Sequence, residues 1–264
     1  MLLSTLIVAA MGTSAQAGVL DDIKSDGKLT VCFAQGMPDN YKNPTTGEWN
    51  GVMVDLVHML ADWIKVEVEP IEVGWDVAVL SLKQGTCDLF GSSIVYNAPR
   101  AMEINYVAPF GAKGINVVMS KDNPKELKTP ADMNSEDFTL VAELGTREQE
   151  TAQRLFPKAN IIPVKVQSSI QIVDHVKRGD ADAAVLPAIT VKWWLQVPEN
   201  AEWGKMGFPG QDFGNAPNGW AVRYGDPDWK SFLDAFSNYV AANNISLDLY
   251  EEYMARTNPF IRSE

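Results

Sequence analysis

Asp88-Leu89-Phe90-Gly91-Ser92-Ser93-Ile94-Val95-Tyr96-Asn97-Ala98-Pro99-Arg100 reads as a short buried strand, a turn carrying free hydroxyls, and a helix start with an arginine in its first turn. Hydroxyls, helix-end N–H groups and a guanidinium converging on one point suit a small carboxylate. Taken alone, the same stretch is also a plain strand–loop–helix corner with an exposed arginine. What precedes it decides the fold class. Residues 29–34 are apolar on both faces, as a central parallel strand should be. Residues 51–64 show helical periodicity, with Val52, Leu56, Met59, Leu60 and Trp63 on one face. Residues 66–73 alternate like a strand, and 75–84 form a second helix ended by Gly85. The order β-α-β-α-β, closing on Asp88, means a parallel sheet with helices on its faces.

A change comes at residues 106–114, where glycines and a proline precede a new apolar strand at 115–119. A second β/α set follows. Thr129-Pro130 opens a short helix with a capping hydroxyl and a proline at its first position. After a strand at 138–142, Gly145 leads into a helix with a capping box, Thr146 paired with Gln149. Strands are expected at 161–166 and 183–186, and helices at 168–178, ended by Gly179, and at 189–196. A loop rich in Gly, Pro and Asn covers 207–219, a strand 220–223, and helices 227–242 and 247–255. Two similar α/β halves emerge, with the last helices left over.

The chain has 264 residues, enough for one large or two modest domains, with 46% hydrophobic and 21% charged residues. A formal net charge of −12 argues against general binding to nucleic acid or to an anionic membrane surface. It leaves room for an anionic ligand in a locally positive pocket. Residues 1–17 combine a short apolar run with small residues ending in Ala15-Gln16-Ala17, the pattern of a secretory signal cut after Ala17, though without a basic n-region. No later run is long enough to span a bilayer, and no cysteine follows the cut directly. Cys32 and Cys87 are the two cysteines, and a disulfide and two buried thiols are both open. His58 and His175 lack ligand spacing, so neither a metal nor another cofactor is expected.

Several local patterns recur in order: Gly47-Glu48-Trp49-Asn50-Gly51 through Leu56; Trp75-Asp76 with Gly85-Thr86-Cys87-Asp88; Ser92-Ser93 with Arg100; Tyr106 to Phe110; Val141 with Gly145-Thr146; Gly179-Asp180-Ala181-Asp182; and Gly219-Trp220 through Asp226. In this order the chain resembles the periplasmic solute-binding proteins of polar amino-acid ABC importers, the bacterial extracellular solute-binding protein family 3. The resemblance implies a type II periplasmic-binding-protein fold. Two α/β lobes, each a mainly parallel sheet flanked by helices, would enclose a ligand cleft. It places lobe 1 at residues 18–111 and 220–264, lobe 2 at 112–219, and hinges near 111–114 and 215–219. The partners it implies are a small carboxylate ligand and an ABC importer membrane permease. The protein is expected in the periplasm as a monomer.

Carried over residue by residue, Arg100 would pair with a ligand carboxylate, Ser92 and Ser93 would assist, and Thr146 would add a hydroxyl and N–H groups from the other lobe. Trp75 would lie against the ligand side chain, with a core tryptophan as the alternative. Three positions depart from the family pattern. Arg147 stands where another hydroxyl is common, with a surface pairing to Glu150 or Glu143 as the alternative. Pro187 replaces the acid that usually holds the ligand ammonium. Ala34 and Met37 stand where an acid and an aromatic often sit. A buried ammonium without a carboxylate is costly, so a small organic acid or amino-acid derivative fits better than an ordinary α-amino acid. Glu143, Glu148 and Asp39 remain acids that would restore the missing charge. A dehydratase-like enzyme on the same fold would need a positioned acid in the cleft, which the 185–189 strand end does not offer, so no catalysis is expected. A ligand-sensing accessory role is the other alternative.

Overall fold

The computed structural model describes residues 18–256, so the signal reading of residues 1–17 lies outside the described residues. The first half runs α1 (Val19–Asp26), β1 (Lys28–Phe33), β2 (Tyr41–Lys42), β3 (Trp49–Asn50), α2 (Val52–Ile64), β4 (Glu67–Glu72), α3 (Ala78–Lys83), β5 (Leu89–Val95), α4 (Ala98–Ala101), β6 (Asn105–Tyr106) and β7 (Gly111–Ser120). The second half runs β8 (Thr139–Glu143), α5 (Arg147–Leu155), β9 (Asn160–Val164), α6 (Val173–Lys177), β10 (Ala183–Pro187), α7 (Ala188–Trp194), α8 (Pro198–Trp203), β11 (Gly204–Met206) and β12 (Phe213–Val222). The helices α9 (Pro227–Ala242) and α10 (Ile245–Ala255) follow.

Two parallel trios of strands make the two lobes. The sheet order is β4-β1-β5-β12-β7-β10-β8-β9. Within it β4, β1 and β5 are mutually parallel, as are β10, β8 and β9. The long strands β12 and β7 lie between the trios, antiparallel to each other and to the trio strand each one touches. Every residue of β5 is buried, so it reads as a continuous apolar run interrupted only by small residues. Gly91 is one of them: a Cβ there would stand 2.4 Å from a Val31 methyl. The alternation expected of β4 reflects its place at the sheet edge.

Period-2 side-chain alternation gives the second trio a core on each face. Ile115, Val117, Leu140, Ala142 and Val185 join Phe156 and Phe213 on one side. Val118, Val141, Ala184 and Leu186 join Val191 and Trp194 on the other. The helices left over in sequence pack on the first trio: Trp229, Phe236 and Tyr253 share a core with Leu29, Val31, Leu56, Leu60 and Trp220.

Several expectations need correction. Ser92 and Ser93 lie inside β5, not in a turn after it, because the strand keeps its ladder to β12 through Ile94 and Val95. The segment 111–114 and much of the Gly-, Pro- and Asn-rich stretch before 220 are strand, since β7 and β12 pair there despite their composition. A register shift between Phe213 and Ala216 absorbs the irregular residues. Trp63 is 46% exposed and leans edge-on against Phe236 and Tyr239, while Met53, Val54 and Val57 are buried on α2. The helix expected over 168–178 is a 3-10 turn, Ser169–Ile172, followed by the short α6. The cysteine pair, open in the sequence, is a disulfide: Cys32 and Cys87 are bonded with a Cα–Cα distance of 5.6 Å. It stitches β1 to the segment entering its neighbour β5, and both residues are fully buried.

Candidate functional site

The strands of each parallel trio end on a shared cavity, the usual position for a site on open parallel sheets. The cavity encloses about 50 Å³ and is walled by groups from both halves, including Trp75, Ser93, Arg100, Lys113, Thr146, Arg147 and Pro187. Arg100 is set by a local device. Asn97 caps α4 by accepting a hydrogen bond from the Arg100 N–H at 2.8 Å, which fixes the helix start and aims the guanidinium. The residue is only 9% exposed. Its Nη2 donates to the Gly145 carbonyl at 2.7 Å, across the cavity. Among the described residues no carboxylate lies within ion-pair distance of it.

The other expected positions divide into groups facing the cavity and groups that build its frame. Ser93 lines the cavity and its hydroxyl accepts from Asn218 Nδ2 at 2.7 Å. Ser92 is fully buried and does not reach the wall. Its Oγ accepts from the Ala34 N–H at 2.8 Å and from Asn40 Nδ2 at 2.9 Å, tying β5 to the loop after β1. Trp75 faces the cavity but sits before α3, not in a helix. Its Nε1 donates to the Gln35 carbonyl at 3.0 Å, and its ring meets Phe90 edge-on.

Thr146 is the N-cap of α5: its Oγ1 accepts from the Gln149 N–H at 3.3 Å and donates to the Glu143 carbonyl at 2.7 Å. The return bond of the capping box goes to a neighbour, since Gln149 Oε1 accepts from the Gly145 N–H at 2.8 Å. Gly145 has φ +79°, and a Cβ there would come within 2.8 Å of the Asp76 backbone in the other half. Both the turn and the close approach require glycine. Arg147 is buried. Its Nη1 donates to the carbonyls of Lys113 and Gly214 at 2.9 Å each, and its Nη2 pairs with Glu148 at 2.9 Å. Its partners are therefore Glu148 and the two long strands, not Glu150 or Glu143 on the surface.

Further contacts cross between the halves. Lys165 Nζ pairs with Asp76 at 2.6 Å, Asn97 Nδ2 donates to Glu150 at 2.7 Å, and the Thr190 hydroxyl donates to the Met37 carbonyl.

Two features of the site go beyond the sequence reading, which named Asp39 and Glu143 as acids but not what surrounds them. Lys113, on β7, pairs with Asp39 from the loop after β1, and both side chains are 9% exposed. The Tyr250 hydroxyl donates to the same carboxylate, and Lys113 Nζ sits 5.3 Å from the Tyr250 ring centroid. Burial pulls the Lys113 amine below its usual range, and the Asp39 charge opposes that pull. Ala112 and Gly114, which flank Lys113, carry no signal that a lysine there is buried. The second feature is Glu143 at the end of β8. Burial pushes its carboxyl up to about 8, and the charges of Glu148 and Asp76 push the same way against the hydrogen bond from Ser169. It is thus mostly protonated at neutral pH.

The family model of bacterial extracellular solute-binding proteins, family 3, matches residues 29–256. The chain belongs to that family. Among its relatives is the L-cystine-binding protein TcyJ of Escherichia coli (strain K12), 24% identical over 90% of this chain and 86% of that protein. Another is the "Probable amino-acid ABC transporter periplasmic-binding protein y4tE" of Sinorhizobium fredii, 24% identical over 67% of this chain but spanning only 59% of the relative's length. Among solved structures, the ancestral amino acid-binding protein AncCDT-1, a precursor of cyclohexadienyl dehydratase, superposes with a TM-score of 0.79. It is 25% identical and covers 90% of this chain and 100% of that one. The two-lobed solute-binding fold accounts for the joined parallel trios and for a cavity between them. Among the described residues, no helix of this solute-binding protein is long and apolar enough to cross a membrane.

Proposed function

We propose that this chain is the periplasmic substrate-binding protein of an ABC importer, and that it captures a small carboxylate-bearing solute by hinge closure. The observation that carries the reading is Arg100: a buried guanidinium on the cavity wall, without a carboxylate partner among the described residues, bound to a carbonyl of the opposite half. A desolvated planar fork of donors is matched by a carboxylate. In this reading Arg100 takes the ligand carboxylate, Ser93 adds a hydroxyl, and Trp75 packs on the ligand body. Ser92, Thr146 and Arg147 hold the frame around them. The lobes divide at residues 18–111 with 220–264 and 112–219, with hinges near 111–114 and 215–219. The grip of Arg147 on the Lys113 and Gly214 carbonyls, one on each long strand, supports that placement. A monomer handing its closed form to a membrane permease completes the assignment, in keeping with relatives named for amino-acid binding and ABC transport.

Purified protein screened by thermal shift against amino acids, dicarboxylates, aromatic acids and opines tests the reading. A ligand at 100-fold over its dissociation constant adds about 2.7 kcal/mol of stability. Arg100→Ala is expected to weaken the best ligand at least about tenfold, equivalent to roughly 1.4 kcal/mol. Unchanged affinity in that variant contradicts the assignment.

Glu143 favours a second reading, a dehydratase-like enzyme, because a protonated buried acid is what general-acid chemistry requires. Against it, Glu143 is not part of the cavity wall and its carboxyl is occupied by Ser169. Turnover of a bound acid by purified protein distinguishes the two.

A further inference from the structure

We propose that Lys113 is a resident ammonium that fills the cationic half of the cleft, so that the site selects a monocarboxylate lacking an α-ammonium over the α-amino acid of the same side chain. The inference rests on the carboxylate reading above and names its substrate class. The cavity wall carries five charged side chains: Asp39, Arg100, Lys113, Arg147 and Glu148. Lys113 is paired with Asp39, and Arg147 with Glu148. Arg100 is left, so the wall carries one unbalanced positive charge. A monoanion cancels it. A zwitterion leaves it standing and brings an ammonium for which no free carboxylate remains on the wall. Burying that charge unpaired is costly.

The surroundings of Lys113 are those that would hold a ligand's ammonium. Its Nζ has a buried carboxylate on one side and the face of Tyr250 on the other, and the Tyr250 hydroxyl orients the carboxylate. Because Lys113 is tethered on β7, its ammonium competes as an intramolecular group, at an effective concentration a free ligand does not reach. A further acid, Glu143 at the end of β8, is outside the wall and engaged with Ser169. At the end of β10, Pro187 offers the cavity no charge.

The test is calorimetric titration of the full chain with matched pairs: α-amino acids and the 2-hydroxy acids of the same side chains. The wild-type protein is expected to bind its best 2-hydroxy acid at least about 100-fold more tightly than the amino-acid counterpart. Lys113→Met frees Asp39 to accept an ammonium and is expected to narrow that ratio at least about tenfold, through a gain for the amino acid. A wild-type preference for the amino acid overturns the inference and leaves the carboxylate reading intact. A preference unchanged in folded Lys113→Met overturns the role of Lys113. Binding of neither series overturns the carboxylate reading itself, and the inference with it. If the variant does not fold, the wild-type ratio alone decides.

Discussion

Replacing both cysteines, Cys32→Ala with Cys87→Ala, is expected to lower the unfolding free energy by about 4 kcal/mol, from the loop-closure entropy of a chain segment of that length. The bridge closes a segment with a sequence separation of 55 residues. Without it the unfolded chain regains the freedom of that whole segment, which holds the end of β1, the antiparallel pair β2 and β3, α2, β4 and α3. Alanine is chosen because both positions are fully buried and serine would bury a polar hydroxyl there. Urea unfolding gives the answer as a lower midpoint with a steeper slope, because the unbridged unfolded chain exposes more surface, so the extrapolated free energies are what is compared. A loss under about 1 kcal/mol contradicts the account, because it means that the closed segment is already constrained in the unfolded state. The first parallel trio is where the damage should appear, since the bridge ties one of its strands, β1, to the segment entering another, β5.

Glu143→Gln is expected to change how stability depends on pH. In the unfolded chain this carboxyl titrates near its ordinary value of 4.5, and in the folded protein burial moves it to about 8. Between those limits the folded state holds one proton more than the unfolded state. Stability therefore falls as pH rises from about 4.5 to about 8, and this group adds no further slope above that. The stabilisation from the neutral carboxyl is fully present below the unfolded value and is lost as pH passes the folded one. Glutamine cannot ionise and keeps an acceptor for Ser169. Variant and wild type should match near pH 4 and diverge to a difference on the order of 5 kcal/mol by pH 9, the variant being the more stable. Unfolding curves across that range measure the divergence. Parallel profiles contradict a buried, proton-holding Glu143.

The architecture was legible because its signals are local. The double-sided apolar run of β1, the periodicity of α2, the Thr146 cap and the proline at the start of α9 each specify an element where it stands. What composition hid was strand in glycine- and asparagine-rich sequence. Gly111 to Gly114 and the residues before Trp220 are held extended by pairing with each other, a long-range effect that no local propensity reports. The same limit applied to the hydroxyls of β5, whose exposure was inferred from residue type. Ser92 instead serves as an internal tie, because the strand continues past it.

Arg100 was legible as a candidate because it stands in the first turn of a helix after a buried strand and matches the family's carboxylate-binding arginine. Arg147 was legible as a second cation, but its partners were not, since they are backbone carbonyls on strands distant in sequence. Lys113 escaped for a related reason. Its acid and its aromatic face come from Asp39 and Tyr250, near opposite ends of the chain, and meet only when α10 packs back onto the first half. The disulfide stayed open until register placed Cys32 beside the strand that Cys87 precedes.

The central claim is that a carboxylate is captured by Arg100 between the two lobes, and a crystal structure of the protein with its tightest-binding acid tests it most directly. The account predicts both carboxylate oxygens within about 3 Å of the Arg100 guanidinium, in the paired geometry typical of such contacts, with Trp75 and Ser93 against the bound molecule. An acid seated on Arg147 or Lys113 with Arg100 still turned to the Gly145 carbonyl, or bound outside the cleft, would contradict it.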